Sequence, residues 1–299
     1  MKIGIIGAGS IGLLFASNLS SVFSVTLYTR TSEQAKEIND HGLHLLKGTE
    51  QMKADILARP FNDWSGTEDL TIVAVKQYQL DSLLRKLNEA DSQQDLLFLQ
   101  NGMGHLKQLD TLQSKNIFVG SVEHGAHKVN AFTVRHNGEG RINVAVFRGE
   151  AAKLSDLAKK APIDFPFTLK DDYYEILVNK LIVNAVINPL SALLNVKNGE
   201  LVDNPFYFAA LSNLFSEIAF ILDVKNPDKL LKQIINICKK TADNHSSMLK
   251  DVEARRKTEV DAILGFLIAK AKEQGKKAPL VESYYFFIKG KEKNWRDSE

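Results

Sequence analysis

Apolar residues in the first half of the chain fall into short unbroken runs, separated by stretches with helical spacing. The runs KIGIIG, SVTLYT, LTIVAV, DLLFLQ and NIFVGSV read as strands. IGLLFASNLSS, SEQAKEINDHG, QLDSLLRKLNEA and GHLKQLDTLQ lie between them and read as helices. Strands that are apolar throughout and alternate with helices predict a parallel sheet covered on both faces. HGLHLLKGTEQMKADILARPF breaks the rhythm and predicts an antiparallel excursion, and FTVRHNGEGRINVAVF predicts a hairpin turning at Asn137-Gly138. Beyond Asp171 the strands stop. Long helices are expected over 173–196, 206–222, 227–242 and 259–273, with a shorter one in LVESYYFFIKG and a frayed GKEKNWRDSE tail. Pro189 should kink or break the first of them. The expected fold class is α/β: a doubly wound sheet domain over residues 1–168, then an all-α domain over 169–299, divided near PIDFPFTLKDD.

One apolar segment carries an irregularity. In NKLIVNAVINPLSALLNVKNG, Lys180, Asn184 and Asn188 recur every four residues and so share one helix face. Burying a charge and two amides costs several kcal/mol unless each finds a partner. The amides could bond backbone carbonyls while the lysine snorkels to solvent. Apolar neighbours on every other face argue instead for a buried helix whose polar stripe lines a ligand cleft at the domain junction. Ala192 continues the stripe with a small residue, and Asn195 and Asn198 follow at the helix end. A second polar cluster joins Asn244, His245, Ser246 and Ser247, with Glu259 opening the next apolar-periodic stretch. By pattern alone Ser246 or Ser247 is an N-cap, Glu259 a first-turn acid, and Arg255, Arg256 and Lys257 a solvated face.

Composition narrows the partners. A chain of 299 residues exceeds what one core usually serves. With 38 basic against 36 acidic side chains, net charge +2, neither nucleic acid nor a membrane is expected as partner. The single cysteine, Cys238, excludes an internal disulfide and a cysteine zinc set; it reads as a packed thiol in a cytoplasmic protein with no metal site. No run reaches the roughly 18 uninterrupted apolar residues of a membrane span. The apolar NPFYFAALSNLFSEIAFIL is compatible with a homodimer, although a buried core helix explains it equally.

The opening MKIGIIGAGSIGLLFASNLSS imitates a signal peptide, but its glycines point elsewhere. GAGSIG sets Gly7, Ala8, Gly9, Ser10, Ile11 and Gly12 between a strand and a helix in G-x-G-x-x-G spacing. The first glycine permits the tight turn, the second lets backbone approach a pyrophosphate, and the third lets helix pack on strand. A Rossmann-type dinucleotide site follows. Where NAD binders place an acid after the second strand, this chain has Arg30, between Thr29 and Thr31. A guanidinium can grip a 2′-phosphate, with the threonines as added donors, so NADP (NADPH) is favoured; a solvated surface arginine is the alternative. Ligands in such sheets sit beyond the C-terminal strand ends, which brings in Lys76, Asn101-Gly102 and Glu123-His124-Gly125. Lys76 could equally be a surface lysine, Asn101-Gly102 a turn, and His124 is better read as a turn or packing residue.

Taken together, GAGSIG, Arg30, AVKQYQ, LQNGMG, KLIVNAVINPLSALLNVKNGEL and NHSSMLKDVEARRKTEVDAILG resemble the 2-dehydropantoate 2-reductase (ketopantoate reductase) family over essentially the whole chain. The last two blocks are specific to that family; the glycine motif is widely shared. The resemblance implies NADPH-dependent reduction of a small-molecule 2-keto acid, ketopantoate, to pantoate in pantothenate and coenzyme A synthesis, with hydride delivered to the C2 ketone. It implies Lys180 as general acid and Glu259 as the carboxylate that binds the substrate hydroxyl. Asn184, Asn188 and Ser247 resemble substrate contacts, and Asn198 and Asn244 fall on polar positions of the same cleft. Asn101 resembles the residue at the nicotinamide ribose and substrate, and Lys76 one that helps hold the cofactor. The chain departs from the family in YYEILVNK, which lacks a common tryptophan, and in SVEHGAHK, usually richer in threonine. Two other readings stand beside it: a reductase of another branched 2-keto acid, and a non-catalytic NADP-sensing protein that would need neither Lys180 nor Glu259.

Overall fold

The structure, a computed structural model, describes residues 1–89 and 94–296. They form two compact units, Met1–Gln100 with His105–Leu177, and Asn101–Gly104 with Val178–Glu299.

In the first unit the strands and helices run β1 (Lys2–Ile6), α1 (Ser10–Leu19), β2 (Ser24–Thr29), α2 (Ser32–His41), β3 (Leu43–Lys47), β4 (Glu50–Ala54), β5 (Leu57–Pro60) and β6 (Leu70–Val73). They continue through α3 (Asp81–Glu89), β7 (Leu96–Phe98), α4 (Leu106–Leu109), β8 (Ile117–Val122), β9 (Gly125–Lys128), β10 (Thr133–Gly138), β11 (Ile142–Arg148), α5 (Ala152–Lys160) and β12 (Phe167–Lys170). Eight strands make the main sheet in the order β12-β11-β8-β7-β6-β1-β2-β5, parallel except where β11 meets β8. Its central strands are buried on both faces, as unbroken apolar runs require. Ala90, the last residue of the expected third helix, lies outside the described residues.

A second sheet, β4-β3-β10-β9, decides how α1 sits. α1 packs on β1 and β2 of the main sheet and also on β3, β9 and β10 of the second. Gripped from both sides, it buries Leu13, Leu14, Phe15, Ala16 and Leu19, and Phe15 meets Phe165 edge-on with centroids 5.1 Å apart. That double burial is why the segment is apolar enough to imitate a signal peptide.

The antiparallel excursion forms as the β3–β4 pair, and β5 then joins the main sheet beside β2. The hairpin expected around Asn137-Gly138 does not form. β10 pairs antiparallel with β9 upstream, while β11 enters the main sheet between β8 and β12. The turn is at 129–132, where Asn130 Oδ1 accepts from the Phe132 N–H at 3.0 Å and the Val129 N–H bonds the Thr133 carbonyl. A local Asn-Gly signal was overridden by the upstream hairpin with β9 and by the pairing of β10 with distant β3.

The remaining elements are α6 (Tyr173–Leu194), α7 (Glu200–Asp203), α8 (Pro205–Ile221), α9 (Pro227–Lys240), α10 (Ser247–Glu253), a π-helical turn at Asp261–Gly265, α11 (Phe266–Glu273) and α12 (Pro279–Arg296). In the second unit α8 packs on α7, α9, α11 and α12. Its buried Leu211, Leu214, Phe215, Ile218 and Ile221 follow helical spacing, each contributing about 1.5–3 kcal/mol on full burial. Asn204 caps α8, and Glu217 on α8 accepts the Leu280 and Val281 N–H groups that open α12. α9 turns Leu230, Ile234 and Cys238 inward, and burial pushes the Cys238 thiol up to about 11, which fits an inert packed thiol.

α6 continues unbroken through Pro189, because burial of Val186, Ile187, Leu190 and Ala192 around it offsets the lost hydrogen bond. It is long and apolar enough to cross a membrane, with mean hydropathy 1.6, yet 67% of that stretch is buried within the protein. A core helix meets the same criterion. The expected frayed tail is helical through Arg296; its last three residues lie outside the described residues.

Candidate active site

In the first unit the chemistry is carried by backbone. Gly7 has φ +108° and donates its N–H to the Tyr28 carbonyl at 2.9 Å. A Cβ on Gly12 would stand 1.7 Å from the Gly7 carbonyl oxygen, so the third glycine is what lets α1 abut the turn. A Cβ on Gly9 would meet nothing within 4 Å, leaving an open approach to the loop. Gly9 is also the N-cap of α1, which has no side-chain cap and no acid in its first turn. Its leading amides and the positive dipole end therefore have no competing side chain, and a dinucleotide phosphate fits there. Ala8 is buried, Ser10 accepts at Oγ from the Lys128 N–H at 3.0 Å, and Ile11 packs against the core.

Arg30 follows β2 directly and is exposed. Thr31 caps α2 by accepting from the Gln34 N–H at 3.3 Å. Thr29 is not the donor it was expected to be: fully buried, its hydroxyl donates to the Thr31 carbonyl at 2.7 Å. Lys76 heads the short turn Gln77–Gln79, its N–H bonding Gln79 Oε1 at 3.2 Å and its ammonium 6.0 Å from the Tyr78 ring centre. His124 is buried, with Nδ1 3.0 Å from His136 Nε2 and its ring against Phe165, which is the packing role expected of it.

In the second unit the chemistry is carried by side chains. Lys180 and Asn184 are half-buried on α6, and Asn188, one turn further on, is buried. Asn188 Nδ2 lies 3.5 Å from Ser247 Oγ, at the long end of a hydrogen bond. Ser246 caps α10 by accepting from the Leu249 N–H at 3.1 Å, and its hydroxyl lies 2.7 Å from that of Ser191 on α6. This fixes α10 against the ladder and leaves Ser247 exposed beside Asn188. Asn198 donates its amide to Thr241 Oγ1 at 3.0 Å, and its N–H bonds the Asn244 carbonyl at 3.0 Å. The two asparagines predicted on separate segments are thus stitched together.

Asn101 and Glu259, 158 residues apart in sequence, meet directly: Asn101 Nδ2 donates to Glu259 Oε2 at 2.9 Å. Gly102, at φ +76°, makes this possible, since a Cβ there would stand 2.2 Å from the Ala262 carbonyl oxygen. Glu259 also opens a helical turn, its carbonyl accepting from the Ile263 N–H at 3.1 Å. The π-helical turn that follows is held by Tyr285 and Lys289, which bond Asp261 at 2.8 and 3.2 Å. On its other side buried Glu292 accepts from both the N–H and hydroxyl of Thr258, at 2.8 and 2.6 Å. Sequence reading missed Thr258, Glu292, Ser191 and Thr241, because nothing in their local pattern marks them.

Two family models cover the chain: "Ketopantoate reductase PanE/ApbA" matches residues 3–149, and "Ketopantoate reductase PanE/ApbA C terminal" matches residues 172–292. The chain belongs to the ketopantoate reductase family. Among family members, the 2-dehydropantoate 2-reductase of Bacillus subtilis (strain 168) is 44% identical over 296 residues, covering 98% of each chain. That of Listeria monocytogenes is 37% identical over 98% of this chain and 97% of its own. A solved structure of panE from Bacillus subtilis superposes with TM-score 0.89 at 43% identity, covering 97% of this chain and all of that one. A D-mandelate dehydrogenase solved with NADH shares the fold, TM-score 0.90 over 99% of both chains, at 22% identity. The ketopantoate reductase fold of a mixed sheet domain followed by a helical region is the α/β class expected of the sequence.

Proposed function

We propose that this protein reduces the C2 ketone of 2-dehydropantoate to the alcohol of pantoate, using NADPH, with Lys180 as general acid. The observation that carries the reading is the Asn101–Glu259 hydrogen bond at 2.9 Å in the unit that also holds the Lys180, Asn184, Asn188 and Ser247 stripe. A bound nicotinamide supplies the hydride. As the ketone gains it, negative charge grows on the C2 oxygen; the Lys180 ammonium stabilises that charge and gives up its proton there. Asn184 and Asn188 orient the substrate with neutral amides that add no charge to repel its carboxylate. Glu259, held by Asn101, accepts from the terminal hydroxyl of ketopantoate and disfavours keto acids that lack it.

On the cofactor side, the Gly7–Gly12 loop holds the pyrophosphate through its amides, and Arg30 and Lys76 supply cations for phosphate groups. Relatives named 2-dehydropantoate 2-reductase across 98% of the chain support the substrate. The neighbour solved with NADH makes the choice of nicotinamide the part most worth testing. In a spectrophotometric assay at the reduced-nicotinamide band, ketopantoate with NADPH should be the fastest pair. Faster turnover of 2-ketoisovalerate would move the substrate to another branched 2-keto acid, and no turnover of either would favour a non-catalytic NADP-sensing role. We also propose a cytoplasmic enzyme that dimerises through the helical unit.

A further inference from the structure

Lys128 belongs to none of the motifs, yet the second sheet delivers it to the glycine loop. β9 packs against α1, and Lys128 ends that strand. Its ammonium donates to the Ala8 carbonyl at 3.1 Å, and its N–H donates to Ser10 Oγ at 3.0 Å. Gln34, in the first turn of α2, reaches the same Ala8 carbonyl with Nε2 at 3.0 Å and bonds the Ala131 carbonyl at 2.9 Å. Strand β9, helix α2 and the glycine loop therefore converge on one carbonyl.

The ammonium there is half-buried, and a neutral carbonyl is its hydrogen-bond partner. Burial lowers its affinity for the proton, and the nearby Arg30 charge lowers it further, with Glu37 opposing weakly. Two cations held near each other with no carboxylate bridging them repel unless an anion lies between. Arg30 makes no ion pair among the described residues, and neither does Lys128. An anionic group of the ligand is the natural counter-charge.

We propose that Lys128 is a second cation for the 2′-phosphate of NADPH, sharing it with Arg30. Preference for the phosphorylated nicotinamide is then divided between the end of β2 in the main sheet and the end of β9 in the second sheet. The inference rests on the NADPH reading above. It explains what the second sheet contributes beyond burying α1.

Calorimetric titration of the substrate-free protein with NADP+ and NAD+ tests it, since these differ only in the 2′-phosphate. Lys128→Gln should weaken NADP+ binding about ten- to a hundredfold, the range for losing one charged hydrogen bond, and leave NAD+ binding unchanged. Lys128→Arg should restore most of the preference, and the salt dependence of NADP+ binding should be shallower in Lys128→Gln. Equal loss for both dinucleotides would overturn the proposal, leaving the ammonium as a brace for the loop or a pyrophosphate contact. Unchanged affinity for both would overturn it as well. A wild-type protein with no preference for NADP+ would remove the NADPH reading itself, and this inference with it; a preference that survives Lys128→Gln but not Arg30→Gln would remove Lys128 alone.

Discussion

The glycine loop and the α6 ladder are both polar sites opened in apolar surroundings, but they are built from different material. The loop presents main-chain amides, and its sequence requirement is the absence of side chains at Gly7, Gly9 and Gly12. The ladder presents Lys180, Asn184 and Asn188, held in line by helix pitch and faced by Ser247 across a gap of 3.5 Å. A backbone site tolerates almost no substitution and so reads as a compact motif. A side-chain site reads only as a period, and its partners come from segments about 60 to 160 residues away.

If the two sites divide the labour as proposed, they can be broken separately. The largest effect belongs to the ladder. Lys180→Ala should lower kcat by about two to four orders of magnitude, the usual worth of a positioned general acid. Dinucleotide affinity by calorimetry should stay at the wild-type value; a variant with wild-type kcat would take the lysine out of the reaction.

Within the loop, the glycines should separate into a structural and a ligand-facing one. Gly12→Ala drives a Cβ to 1.7 Å from the Gly7 oxygen, and overpacking of that kind costs about 3 kcal/mol in urea unfolding. Gly9→Ala meets open space in extended backbone, so its stability should stay within about 0.5 kcal/mol of wild type while dinucleotide binding weakens. Equal destabilisation by both would mean that Gly9 does not face a ligand.

His105 is fully buried, and desolvation depresses its pKa from 6.5 to about 4. The folded state keeps it neutral while the unfolded chain protonates below about pH 6.5, so the unfolded state binds more protons. Stability should fall as pH drops from about 6.5 to about 4, by up to about 3 kcal/mol, and level off below. His105→Leu should flatten that slope in denaturation curves taken at several pH values.

The smallest effect concerns the clamp behind the ladder. Ser246→Ala removes the α10 cap and the contact with Ser191, and should cost about 1 kcal/mol with a raised KM for ketopantoate and unchanged dinucleotide binding. A weakened dinucleotide site instead would link Ser246 to the loop rather than to the ladder.

Much of this was visible in the residues. Unbroken apolar runs announced a buried parallel sheet, since a strand covered on both faces has no polar side to show. Glycine spacing marked the loop, because the positive φ of Gly7 and the contact of Gly12 with the Gly7 carbonyl leave no room for a side chain, while Gly9 stays open. The ladder was visible because four residues is close to one helical turn. What the residues alone misplaced was pairing. Asn137-Gly138 carried a sound local turn signal, yet β10 paired with its neighbour β9 and with distant β3, while β11 joined β8 and β12 in the other sheet.

The sequence by itself determined which segments are buried, where the backbone must bend, and which side chains are costly enough in apolar surroundings to need a partner. Tertiary structure alone decided who those partners are. Asn101 meets Glu259, Glu292 steadies Thr258, and Lys128 reaches the Ala8 carbonyl, all through contacts between residues with no local relation. Periodicity and composition act along the chain and can be read from it. Hydrogen bonds and charge pairs act over a few ångströms in space, and only folding brings those groups within that reach.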